Sequence, residues 1–360
     1  MRSKQTNRHN GGTGVAALAP RQEFRSNGHM NSVTSPRGTR QDTPNGWWTT
    51  VPPAAGAAVM ATGILSVGLH LAGREVLSAV LLALAAGLWV LLAAAFALTL
   101  LNTRTDWTLK AATPPALTAV ASTGVLGTRI SLLGEQGVAL GLLALAVLVW
   151  PFLLASVVRH WRRGMPGAVF LVCVSTQALA VLAATVAAAG GPDRLAPAAL
   201  AFFCLGLVLY LGALVRFDLR QILTGAGDQW VIAGALSISA LAAGKLTALP
   251  DWTPGLHDAL RTATWVLLGL ALTGYAVLLA AELRSPRPAY DVRRWATVFP
   301  LGMTAVAALV AGTATGVDWL DPLGRVLLWI GVAAWLLTAA GFLIDASHRP
   351  RVRRLLRLDR

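Results

Sequence analysis

From Trp47 to about residue 346 the chain alternates between apolar runs and short polar breaks. Ten runs are long enough to cross a bilayer as helices, which takes roughly 20 residues each. They cover 51–71, 76–101, 111–132, 136–158, 165–189, 195–216, 229–249, 258–282, 294–316 and 324–345. Short connections predict that neighbours pack as antiparallel hairpins. The expected fold is therefore all-α and polytopic, with five helical hairpins in a transmembrane domain over 46–346.

The runs are of two kinds. Even-numbered runs are dominated by Leu, as in VLLALAAGLWVLLAAAFALTLL, which suits contact with lipid. Odd-numbered runs use small and hydroxyl residues, as in PPALTAVASTGVLGT and VIAGALSISALAAG. Small residues let helices approach closely. The simplest packing puts five odd helices in an inner ring and five even helices outside it. Prolines mark the starts of four odd runs, at Pro52/Pro53, Pro114/Pro115, Pro166 and Pro300, and the seventh run lacks one. The ninth, Trp295 to Gly316, carries a Phe-Pro step and no charge. An internal proline removes a backbone donor and bends a helix, so Pro300 is the expected kink.

Composition agrees with the pattern. The 360 residues are 55% hydrophobic and 13% charged, with a mean hydropathy of +0.61, where a soluble domain would be about 25% charged. The net charge of +14 sits at the ends of apolar runs, which sets membrane orientation and does not suit a nucleic-acid groove. The N-terminal tail holds seven Lys and Arg, the loops after even runs eleven and the C-terminal tail six; the opposite side holds six. Twenty-four against six places both termini in the cytoplasm. Residues 1–45, polar and basic without apolar periodicity, read as a disordered cytoplasmic tail, and 347–360 as a second basic tail. No signal peptide is expected, because no apolar core follows the early basic residues. Cys173 and Cys204 lie inside apolar runs and read as core residues.

No acidic residue falls in the middle of a run, and the histidines at 70, 160, 257 and 348 are terminal. No metal-binding, nucleotide-binding or catalytic motif is present, so neither a cofactor nor an enzyme is expected. Ion-coupled carriers keep an ionisable group within the membrane. Its absence favours a passive pore or a weakly coupled carrier, and an acid-free interior suits an anion. Arg129 and Lys245 lie at the outer ends of inner helices. They read either as a positive funnel for anions or as side chains snorkelling to the interface. Gly63, Thr118, Ser122, Gln177, Ser237, Gly302 and Val306 are the candidate pore-lining residues.

The first helix, PPAAGAAVMATGILSVGL, and the ninth, WATVFPLGMTAVA, within ten spans, resemble the tellurite-resistance/dicarboxylate transporter family, which includes plant slow anion channels. The resemblance covers about 47–346. It implies a conduit along the axis of the five inner helices, a homotrimer in the plasma membrane, and a phenylalanine of the ninth helix as plug. By motif that residue is Phe299. Small inorganic or organic anions would pass through a channel so gated. The alternative is a secondary transporter or efflux carrier for tellurite, sulfite or a dicarboxylate.

Overall fold

The structure, a computed structural model, describes residues 51–102, 104–250, 252–286 and 290–358. The tail expected over 1–45 lies outside the described residues. Twelve helices follow in order: α1 Gly56–Leu71, α2 Glu75–Asn102, α3 Arg104–Ala111, α4 Thr118–Ser131, α5 Gln136–Arg159, α6 Leu171–Ala188, α7 Leu195–Leu214, α8 Gln221–Thr224, α9 Val231–Thr247, α10 Pro254–Arg284, α11 Trp295–Thr315 and α12 Leu320–Leu358. The short α3 and α8 belong to connections. The helix α12 runs on past the predicted end of the tenth span, into the segment read as a C-terminal tail.

Nine helices among the described residues are long and apolar enough to cross a membrane. The third predicted span, 111–132, is the difference. It becomes a 3₁₀ turn, Pro114–Leu117, followed by the 14-residue α4. Thr118, Ser122, Thr123, Thr128, Arg129 and Ser131 dilute its hydropathy. Turn and helix together still rise roughly 29 Å, close to the hydrocarbon thickness of about 30 Å.

Packing separates two rings. The helices α1, α4, α6, α9 and α11 contact one another in that order, and α11 closes on α1. Each of α2, α5, α7, α10 and α12 leans on its hairpin partner and on the next inner helix around the ring. Burial follows: 72–100% of the spans holding α1, α6, α9 and α11 is inside the protein, against 17–33% of the outer spans. Exposed Leu, Val and Phe on the outer ring present an apolar surface of the kind a bilayer covers.

All five inner helices begin in a 3₁₀ turn at the same end of the bundle: Pro53–Ala55, Pro114–Leu117, Gly167–Phe170, Asp228–Trp230 and Val292–Arg294. Proline suits such starts because its missing N–H would be unpaired there anyway. The fourth turn has no proline and is introduced by Gly227 at φ 130°, a conformation only glycine adopts readily. The fifth is capped by the Asp291 carboxylate, which accepts from the Arg293 N–H at 2.8 Å. The Arg293 side chain holds that carboxyl below its usual pKa.

A second repeat joins the rings. The Trp89 indole of α2 donates to Thr123 of α4 at 2.9 Å, Trp150 of α5 to Thr176 of α6 at 3.0 Å, and Trp335 of α12 to Thr62 of α1 at 2.9 Å. In each case an outer helix binds the next inner helix. The threonine hydrogens go to carbonyls one turn back, at Ala119, Val172 and Ala58.

Candidate axial site

Five inner helices around one axis leave a gap that side chains must fill. A cavity of about 10 Å³ remains there, room for about one water. Its wall takes Ile64, Val67 and Leu71 from α1, and Gly124, Val125, Thr128 and the following Leu132 from α4. Ala178 and Val181 come from α6, Ile238, Leu241 and Lys245 from α9, and Met303, Val306 and Val310 from α11. The spacing is shared, with residues 64, 67 and 71 matched by 125, 128 and 132, by 238, 241 and 245, and by 303, 306 and 310. Steps of three and four keep one helical face toward the axis. The wall is apolar except for Thr128, whose hydroxyl donates to the Gly124 carbonyl at 2.9 Å, and Lys245.

Lys245 is the one charge on this wall. It is partly buried in the last turn of α9, and no acceptor or acid pairs with it among the described residues. Arg129 lies elsewhere. Its Nε donates to Ser78 at 3.0 Å and its Nη2 meets the Glu75 carboxylate at 3.3 Å, both on α2. Glu75 also meets His70 Nδ1 at 2.7 Å, and Ser78 exchanges hydrogen bonds with Ser66. Buried to 1% exposure, Arg129 is a clasp between α4 and the α1–α2 turn, not part of a funnel around the axis. An acid one hairpin away, at position 75, captures it.

Phe299 is 1% exposed and stands one turn before Met303 on the stripe that continues through Val306 and Val310. A regular helical projection puts Gly302, Val306 and Thr313 on the face of Phe299, whereas the wall takes Met303, Val306 and Val310. Phe299 lies beyond the end of the cavity nearest the helix starts, with Lys245 toward the opposite end. Pro300 is inside α11, which continues across it to Thr315. Its ring fills a notch at Gly234 of α9, where a Cβ would come within 2.7 Å of Pro300 Cγ.

Among the residues singled out for lining, Val306 is on the axial wall. The others are in seams. A Cβ on Gly63 would sit 2.9 Å from Val125, and one on Gly302 3.0 Å from both Ile64 and Leu65. The Ser237 hydroxyl meets the Ala233 carbonyl at 2.9 Å and Thr304 at 2.8 Å, tying α9 to α11. Gln177 points outward, donating to the Phe203 carbonyl of α7 at 3.1 Å and filling the space over Gly206. Thr118 donates to the Pro115 and Pro53 carbonyls, and Ser122 to Ala119; both border a second cavity of about 370 Å³ between α2, α4 and α5. Hydroxyls go to seams because a carbonyl one turn back satisfies them and their small volume admits a neighbouring helix. The signal that finds the wall is the bulky aliphatic stripe inside otherwise small-residue helices. Among the described residues no cluster of His, Cys, Asp or Glu could hold a metal.

The comparisons with known proteins agree with this architecture. The profile of the voltage-dependent anion channel family matches residues 50–343. An uncharacterized membrane protein of Mycobacterium tuberculosis, in strains CDC 1551 and H37Rv, is 28% identical over 122 residues. That alignment takes in 32% of this chain and 61% of the relative, so the chain spans less than two thirds of the curated relatives it matches. The family match covers the whole ring of five hairpins, and the chain belongs to the voltage-dependent anion channel family, a family of membrane anion channels and transporters.

Proposed function

We propose that the chain is a channel that passes small anions along the axis of its inner ring, with Phe299 as the steric gate and Lys245 as the charge that draws anions in. The observation that carries this reading is the axial wall itself, which is apolar but for Thr128 and holds one unpaired cation and no carboxylate. A carboxylate would repel an anion, and an apolar constriction blocks ions by excluding water. Phe299 continues the axial stripe of α11 at the end opposite Lys245. Turning that ring aside, at the bend expected from Pro300, would widen the conduit. Assembly as a homotrimer in the plasma membrane, with both termini in the cytoplasm, completes the proposal.

The test is anion conductance in proteoliposomes. Phe299→Ala should raise chloride or nitrate conductance about tenfold or more, the scale on which removing one steric barrier of 1.4 kcal/mol or more acts. Flux should rise linearly with driving force and persist without a cation gradient. Saturable exchange or proton dependence, with Phe299→Ala no faster than wild type, would instead assign a carrier for tellurite, sulfite or a dicarboxylate.

A further inference from the structure

A larger cavity lies off the axis, between α2, α4 and α5. It holds about 370 Å³, within the range of small-ligand sites and well above the roughly 150 Å³ at which an apolar void already takes up benzene. Six alanines line the space, Ala93, Ala95, Ala97, Ala116, Ala119 and Ala146, where bulkier residues would have filled it. The cavity opens sideways: Ala93, Ala97, Leu100 and Leu145 on its rim are exposed on α2 and α5, whose outer faces are those a bilayer covers.

Its polar groups are nearly all engaged. Thr99 donates to Ala95, Thr118 to Pro115, Ser122 to Ala119 and Thr123 to Ala119. The Trp89 N–H is taken by Thr123. A chain of waters needs two to four partners each, which this wall does not offer. One donor is left over. The Trp107 indole N–H is buried and finds no acceptor among the described residues, while its ring packs edge-on against Phe96, another wall residue, at 5.7 Å. Lys110 stands at the same end.

An apolar slot open to hydrocarbon, with an unused N–H and an ammonium at one end, matches an acyl chain whose ester or phosphate oxygen meets that N–H. We propose that this cavity binds one acyl chain of a bilayer phospholipid. The helix α4 forms its inner wall and, through Gly124, Val125 and Thr128, part of the axial wall. An occupied slot therefore braces α4 from behind. The lipid site itself does not depend on the conduction reading, because its test measures binding.

The experiment places the full chain in nanodiscs doped with a phosphatidylglycerol that carries a diazirine near the end of one acyl chain. After irradiation, adducts on residues 89–100 should exceed those on the lipid-facing stretch 266–277 of α10 by roughly fivefold, the enrichment that a modest site preference gives. Labelling at 89–100 should saturate as the probe fraction rises, whereas bulk contact on α10 should rise linearly. Ala97→Trp, at the exposed rim, should remove most of the enrichment. Linear, unenriched labelling of 89–100 in the wild type overturns the proposal. So does undiminished enrichment in an Ala97→Trp protein that elutes as the wild type does. If that variant elutes abnormally, saturation in the wild type decides. A diazirine fatty acid that labels the slot when the phospholipid does not also overturns it, since the occupant would then be a free acid.

Discussion

The axis and the seams of the inner ring are built from opposite kinds of side chain. Facing the axis are Ile64, Val125, Ile238, Leu241, Met303 and Val306, bulky and apolar. In the seams are Gly63, Gly234, Gly302, Ser237 and Thr304, small or hydroxyl-bearing. The difference is geometric. Two helices that cross closely need small residues where they touch, but five helices around a point leave a central gap that only larger side chains close. A narrow axial wall and tight seams are thus two consequences of one ring, and substitutions should separate them.

The largest effect is expected where a seam involves rigid backbone. At Gly167 an added Cβ would run into the Asp228 carbonyl and lie 2.5 Å from Gln229 Cα. Neither atom can rotate aside, so Gly167→Val should cost more than the about 1–3 kcal/mol of ordinary overpacking. Size-exclusion chromatography should find little or no monodisperse protein. A normal yield would show that the start of α6 shifts freely against the fourth turn.

The two cations in the last turns of inner helices, Arg129 and Lys245, offer the next contrast. Lys245→Gln should lower anion conductance about tenfold at low ionic strength, and less in high salt, because steering by one charge is screened over roughly 10 Å at 0.1 M. Its melting temperature should hold. Arg129→Gln should do the reverse, leaving the permeation pathway intact while loosening the clasp to Glu75 and Ser78. Removing one partner of a buried, hydrogen-bonded charge pair costs roughly 3–5 kcal/mol at most, and the solvent-exposed Glu75 carboxylate, 59% accessible, brings this case well below that. Equal losses of conductance in both variants would merge the two roles.

The smallest effect belongs to the indole–threonine repeat. Trp335→Phe keeps the ring between α12 and α1 and deletes the bond to Thr62. Hydrogen bonds between membrane helices average about 0.6 kcal/mol, so thermal unfolding in detergent should shift by only a few degrees or less. A larger loss would mean that the repeat sets the registration of the rings as well as joining them.

Much of this architecture was legible before any coordinates. The ten apolar runs and the Leu-rich against small-residue alternation separate the rings, and the ninth helix was visible as the unusual one. The wall of the axis was not. Reading polar residues as lining chose Thr118, Ser122, Gln177 and Ser237, each of which finds its hydrogen-bond partner away from the axis. Membrane interiors reward a hydroxyl that meets a carbonyl, so polarity in a run marks a seam as readily as a pore. Arg129 and Lys245 were indistinguishable by position along the chain, and what divides them is Glu75, more than fifty residues from Arg129 in sequence.

By itself, then, the sequence determined the all-α class and the kind of helices, the sorting into inner and outer rings, and the place of Phe299 and Pro300 at the start of the ninth span. Those follow from length, hydropathy and residue volume, which are local properties. Only the tertiary structure decided which face of each inner helix meets the axis, that Lys245 stands alone there while Arg129 is held by an acid, and that an alanine-lined slot opens between α2, α4 and α5. On a helix buried on every side hydropathy alone does not pick out one face, because seam and axis are both apolar, and the choice is made when the five helices close into a ring.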